Sequence, residues 1–243
     1  MINTNLKNIK NVYFGNNNII KVYLGDALVH QVTQHDYVEI NGIKWATCNV
    51  GANNPEEPGL YFQWGDYKGY DGSEIGENEG QKPFKWEDYK FSLGRSNPKP
   101  ASFSKYNNIV GSKNVLDLID DGARVNWSGH WRMPTYYDVK SLYESTNYVW
   151  TADYNGTGVA GMIFTDKNDS TKSIFIPAAG YAYKGTLRNN NTTGTFWTNQ
   201  LYTAWDTEAC AFTFTSSKVD YYDIGEQSGN RFYGRPLRAV RAD

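Results

Sequence analysis

No apolar run in the sequence approaches the roughly 18–20 residues that a membrane helix needs, so no membrane span is expected. Basic and acidic residues nearly cancel, 24 against 26, and no Lys/Arg run supplies a patch that could follow a phosphate backbone. Nucleic acid is therefore not an expected partner. The opening residues Met1–Asn11 lack the apolar centre of a secretory signal, which makes a soluble chain synthesised in a cytoplasm the expectation. Cysteine is scarce. Cys48 and Cys210 lie far apart, and without a signal two buried thiols are expected rather than a disulfide. His30, His35 and His130 make no ligand cluster with them. No zinc spacing, EF-hand loop or P-loop occurs, so neither a metal nor a cofactor is expected. A nucleophile-elbow motif is also missing. The adjacent acids Asp120-Asp121 and Glu56-Glu57 read as solvated pairs rather than glycosidase carboxylates.

What the sequence has in excess is aromatic surface. Aromatics make up 16% of the chain, with 19 Tyr and 8 Trp, more than a core of this size requires. Tyr and Trp join contact area to a polar handle, so a surplus fits a binding surface as well as it fits dense β packing. Hydrophobic residues at 40% against 21% charged supply a packed core and argue against wholesale disorder.

The first 35 residues differ from the rest. Seven of the first 18 are Asn, and Val12-Tyr13-Phe14-Gly15 returns as Val22-Tyr23-Leu24-Gly25. Short β-type runs, with Ala27-Leu28-Val29 as a third, alternate with Gly15-Asn16-Asn17 and Gly25-Asp26, which carry turn chemistry. So small a module buries little surface alone. Val12, Tyr13, Phe14, Val22, Tyr23, Leu24 and Leu28 are therefore candidate attachment or oligomerisation residues. Residues 1–35 are read as this module and 36–243 as a second, larger domain.

In the larger domain, Val38-Glu39-Ile40 and Ile43-Lys44-Trp45-Ala46 flank Asn41-Gly42, a strong hairpin signal. Residues 66–108 read as a long irregular excursion. A helix is expected near Lys113–Asp121, with Val115, Leu116 and Ile119 on one face and Gly122 as its stop. A second helix is expected from Thr135, where Thr135 and Asp138 make a capping-box start. Strands follow at Ala160–Thr165, Ser173–Pro177, Gly194–Thr198, Ala209–Thr215 and Leu237–Ala242. That order predicts an α+β fold class with two helices and antiparallel sheets.

Several blocks carry a family resemblance. They are Trp45-Ala46-Thr47-Cys48-Asn49-Val50-Gly51-Ala52, Gly59-Leu60-Tyr61-Phe62-Gln63-Trp64-Gly65, and Gly129-His130-Trp131-Arg132-Met133-Pro134-Thr135. Phe175-Ile176-Pro177-Ala178-Ala179-Gly180-Tyr181, Gly194-Thr195-Phe196-Trp197-Thr198 and Gly234-Arg235-Pro236-Leu237-Arg238-Ala239-Val240-Arg241 follow in order. Together they resemble the large paralogous surface-domain family of gut and rumen anaerobes, itself similar to formylglycine-generating enzymes and to retroelement-variable proteins. The resemblance implies a C-type-lectin-like fold over residues 37–243. The tandem VYxG units resemble short N-terminal modules of tail and fibre proteins of phages that infect gut bacteria.

The enzyme that this resemblance brings to mind needs cysteines in the C-terminal half, and only Cys210 lies there, in a strand-like context that predicts a core thiol. Calcium-dependent sugar binding is also not expected, since Trp205-Asp206-Thr207 stands without the companion motif. What remains is a display surface. The expected ligand-binding residues are Asn199, Tyr202, Trp205, Asp206, Tyr221, Tyr222, Asp223 and Tyr233, a vocabulary of rigid rings and adaptable polar groups. In the related retroelement proteins the variable face lies in this same region. Trp197 and Phe212 are expected in the core, and Arg132, Arg235, Arg238 and Arg241 in structural pairings.

The function expected is a non-enzymatic virion fibre or tail-associated protein. It would contact other virion proteins through its N-terminal module, form a homo-oligomer with a trimer favoured, and bind a bacterial surface glycan or protein. The alternatives are a bacterial cell-surface adhesin and, third, a formylglycine-generating type of enzyme.

Overall fold

The computed structural model describes residues 35–75, 84–94, 102–107, 112–220 and 229–241, and the strand backbones at 13–14, 17–18, 21–24 and 27–31. The chain divides into two compact units, Met1–His35 and Asp36–Asp243. In the first, β1 (Tyr13–Phe14) pairs antiparallel with β2 (Asn17–Asn18), and β3 (Lys21–Leu24) pairs with β4 (Ala27–Gln31). Each copy of the repeat thus supplies the first arm of a short hairpin. Tyr13, Phe14, Val22, Tyr23, Leu24 and Leu28 all fall on strand backbone, and Val12 lies outside the described residues.

In the second unit β5 (Tyr37–Ile40) and β6 (Ile43–Ala46) form the expected hairpin, with Ile40 opposite Ile43. Asn41 and Gly42 have φ of 47° and 75°, the left-handed pair that lets a two-residue turn follow the strand twist. The last strand, β21 (Val240–Arg241), sits between β6 and β11 (Trp131–Arg132), pairing Val240 with both Trp45 and Arg132. Three of the sequence blocks, around Trp45, Trp131 and Val240, are therefore neighbours in one sheet of order β11-β21-β6-β5.

The remaining sheets are small and antiparallel. β7 (Tyr61–Phe62) pairs with β8 (Gly69–Tyr70), and β9 (Ser92–Leu93) with β10 (Ser102–Phe103). β12 (Thr146–Thr151), β13 (Gly161–Asp166) and β14 (Ser173–Pro177) make a meander. β15 (Tyr181–Tyr183) and β16 (Thr186–Arg188) make a hairpin. β17 (Gly194–Leu201) pairs with β18 (Glu208–Phe214), whose outer edge takes β19 (Val219–Asp220) at one end and β20 (Gly229–Asn230) at the other.

Two α-helices occur among the described residues, α1 (Gly122–Trp127) and α2 (Tyr136–Ser145). Strand makes up 36% and helix 12%, so the α+β expectation is corrected to a mostly β architecture of several small antiparallel sheets with two helices. The reason is visible at α1. Residues 113–121 contain no helix, and Gly122 starts one rather than stopping one. Asp121 is the N-cap, its carboxylate accepting from the Arg124 N–H at 2.9 Å. A Cβ on Gly122 would stand 2.7 Å from Leu237 Cδ1 and 3.0 Å from Asp66 O, so glycine is required here by close packing. α2 begins as expected, with the full capping box of Thr135 and Asp138.

The Asp120-Asp121 pair is also corrected, because both side chains are buried. Asp120 accepts from Lys90 Nζ at 2.8 Å, and from Lys105 Nζ and Tyr106 Oη at 2.7 Å. Burial works to raise its carboxyl, but these bonds outweigh it and hold it below the usual range. Burial lifts Asp121 above the usual range, against bonds from the Arg124 and Met133 N–H groups. Cys48 and Cys210 are unjoined, as expected, but half-buried rather than core thiols.

The β17–β18 hairpin separates two apolar clusters. By strand alternation, Phe196, Phe212 and Phe214 pack with Val139 and Leu142 of α2 and with Met162 and Phe164. Trp197, Ala209 and Ala211 pack on the other face with Phe62, Trp64, Trp131 and Leu237. The buried indoles of Trp197 and Trp64 donate to Phe62 O at 2.8 Å and Thr198 O at 2.9 Å. Trp197 and Phe212 are core residues, as read from the sequence. Arg238 is fully buried and donates to Ala46 O and Phe175 O, both at 3.0 Å, while burial pushes its pKa down to about 10. Arg132 forms an ion pair with Asp138 at 2.7 Å.

Candidate functional site

The face of β17–β18 that carries Trp197 and Ala211 changes character toward Gly194. The next rung on that face is Thr195 opposite Thr213. Each is 3% exposed, and the two hydroxyls lie 3.1 Å apart. Over this rung lies a cavity of about 600 Å³, within the usual range for small-ligand sites. Thr193 and Thr215, each just outside its strand, also line it.

One wall is Tyr181 of β15 together with the turn after β16, which contributes Asn189 and Thr193. That turn is tied down on all sides. The Gly180 N–H donates to Thr193 O at 2.8 Å, and the Thr193 N–H donates to Asn189 O at 3.0 Å. Asn191 donates from its N–H to Ala178 O and from Nδ2 to Gly158 O, and its Oδ1 accepts from the Ala160 N–H. Asn189 and Asn191 hold φ of 54° and 62°, positions that asparagine tolerates better than most residues. The wall is therefore set before any ligand arrives.

The run from β20 to Arg235 supplies the rest of the described lining. Gly229, Asn230, Tyr233 and Arg235 all line the cavity. Tyr233 stacks on Tyr181 across the chain at 5.4 Å with planes 15° apart, and Tyr183 meets it edge-on at 5.2 Å. Asn230 Nδ2 donates to Tyr233 Oη at 3.4 Å, and burial raises the Tyr233 phenol above its ordinary pKa. Arg235 Nη1 donates to Thr195 Oγ1 at 2.6 Å, and its guanidinium rests on the Trp197 ring at 4.6 Å. A Cβ on Gly229 would stand 2.5 Å from Arg235 Nη2, so this glycine lets the backbone close over the guanidinium. The described lining offers hydroxyls, amides, rings and one guanidinium, a set suited to recognition by hydrogen bonding and stacking.

Of the eight expected ligand residues, Tyr233 lines this cavity. Four others gather at the far end of the β17–β18 hairpin. The Asn199 N–H donates to Pro134 O, the Asn199 carbonyl accepts from Leu116, and Tyr202 and Trp205 meet edge-on at 5.8 Å, with Trp205 57% exposed. Asp206 gives its backbone carbonyl to Arg231 Nη1 at 2.8 Å. Tyr221, Tyr222 and Asp223 lie outside the described residues.

The sequence reading passed over Arg231 and the threonines. Arg231 is fully buried, with its guanidinium 4.3 Å from the Phe103 ring centre and 5.0 Å from that of Trp64. It donates to Tyr89 Oη, Tyr106 O, Asp206 O and Lys105 O at 2.8–3.1 Å. One cation thus ties Tyr89, Lys105 and Tyr106 to Asp206 at the hairpin tip. Among the described residues no group of three or more His, Cys, Asp or Glu could hold a metal ion, and no helix is long and apolar enough to cross a membrane. No family model, curated protein or solved structure matches the chain.

Proposed function

We propose that this chain is a non-enzymatic binding protein of a virion, a fibre or tail-associated component of a phage of gut bacteria. It presents the Thr195–Thr213 cavity to a ligand on the host surface. The observation that carries this reading is the cavity itself: a preorganised polar recess whose described lining offers hydroxyls, amides, rings and one guanidinium, groups suited to hydrogen bonding and stacking. The resemblance of the ordered blocks to the paralogous surface-domain family of gut anaerobes supports a surface role. The paired VYxG hairpins of the first unit support attachment to other virion proteins and assembly into a homo-oligomer, with a trimer favoured.

The test uses the full chain and a chain without residues 1–35. Both are weighed in solution and offered to intact virions and to host cells. The reading expects the full chain to be oligomeric and to bind both, and the shortened chain to lose the oligomer and the virion while keeping the cell. A full chain that binds host cells but no virion protein overturns the virion assignment and favours a cell-surface adhesin. A full chain that binds neither overturns the proposal.

A further inference from the structure

The hydroxyl pair at the cavity floor has one hydrogen too many for its protein partners. A guanidinium only donates, so Thr195 Oγ1 must accept from Arg235. The two threonines share one hydrogen bond, which uses one of their two hydroxyl hydrogens. Whichever way that bond runs, one hydrogen is left on a side chain that is 3% exposed and lines the cavity. A buried donor of this kind calls for an acceptor in the recess.

The rim adds the complementary groups. The Asn189 amide offers both a donor and an acceptor, Asn230 keeps an amide oxygen, and the Tyr233 hydroxyl accepts from Asn230 with its own hydrogen left to give. The stacked Tyr181 and Tyr233 rings add an apolar wall among these polar groups. The described lining thus holds both donors and acceptors beside an aromatic surface, with Arg235 as its one charged side chain and no carboxylate. A carboxylate or phosphate ligand would use donors alone, and an apolar ligand would leave the floor unpaired. A ligand whose every oxygen both donates and accepts, and whose ring carries apolar C–H faces, satisfies the whole set. Resting on the binding reading above, we infer that the cavity takes a neutral saccharide, with the Thr195–Thr213 rung donating to a sugar oxygen and the tyrosine pair packing against the ring.

The experiment is saturation-transfer NMR on the full chain. The probes are maltose, cellobiose, lactose and chitobiose, with glucuronic acid and sialic acid as acidic controls. At least one neutral sugar is expected to receive saturation. Thr213→Val is expected to weaken that sugar by about tenfold, the worth of one buried hydrogen bond. Thr213→Ser, which keeps the hydroxyl, is expected to hold it within about threefold. Tyr233→Ala, a variant outside the strands, reads the same site should Thr213→Val fail to fold, and is expected to abolish the transfer. Binding of acidic sugars alone, of no sugar, or of neutral sugars equally by the wild-type chain, Thr213→Val and Tyr233→Ala overturns the inference. Host-cell binding that the variants weaken but none of the sugars disturbs overturns this inference and leaves the binding proposal standing. Neutral-sugar binding by a chain that ignores host cells overturns host attachment and leaves this inference standing.

Discussion

Arg231 and Arg235 leave the same terminal segment four residues apart, and both are buried, yet their surroundings differ in kind. Arg231 is closed in by aromatic rings and gives its hydrogens to a tyrosine oxygen and three backbone carbonyls. Arg235 rests on the Trp197 and Tyr181 rings, gives a hydrogen to the Thr195 hydroxyl with Thr213 Oγ1 at 3.4 Å from the same nitrogen, and borders open volume. A cation held by carbonyls fixes backbone. A cation held by a hydroxyl fixes the direction of that hydroxyl, and so prepares a surface for something else. One residue type in one segment therefore divides the unit into a clamp and a recess.

The comparison can be broken at its strongest point first. Arg231→Met leaves three carbonyls and a phenol without their donor in a closed interior and should cost about 3–4 kcal/mol in urea unfolding. A loss no larger than that of Thr213→Val would end the distinction between clamp and recess. Gly229→Ala pushes a methyl toward Arg235 Nη2 and should cost about 1–3 kcal/mol while reshaping the recess, read by the same unfolding curve.

Acid should separate the two regions. Asp120 holds Lys105 and Tyr106, whose carbonyls accept from Arg231. Its folded pKa lies below the ordinary 3.8, so its stabilisation is present above that value and is lost as pH falls through the folded one. Asp121 runs the opposite way. Its folded pKa is raised, so its favourable contribution is present below 3.8 and fades as pH rises through the folded value. Melting temperature followed downward from pH 5 should fall in the wild-type chain and fall less in Asp120→Asn. Equal slopes would show that Asp120 is not the acid-sensitive part of the clamp.

Thr213→Val should cost about 1 kcal/mol or less in stability, since it removes a hydroxyl and keeps the shape. Trp205→Ala, at an exposed hairpin tip, should move stability by less than about 0.5 kcal/mol.

The sequence showed the hairpin at Asn41-Gly42 and the capped start of α2 because turn and cap chemistry is local. It misplaced the helix before Gly122 because apolar spacing at Val115, Leu116 and Ile119 looks helical, while Val115 instead bridges to Gln200 and Ile119 is exposed. It assigned solvent to Asp120, whose lysine and tyrosine partners come from 14–30 residues away. The ligand face was read at the aromatic hairpin tip. The recess was written in a quieter signal, a threonine on each of two paired strands with another two residues out, and the tyrosine and arginine that complete it arrive from other elements.

The most direct test of the recess as the ligand site sets Thr213→Val beside Trp205→Ala in a host-cell binding titration. Lost binding in Thr213→Val with wild-type binding in Trp205→Ala is the predicted result. The reverse pattern would return the site to the hairpin tip and contradict the account.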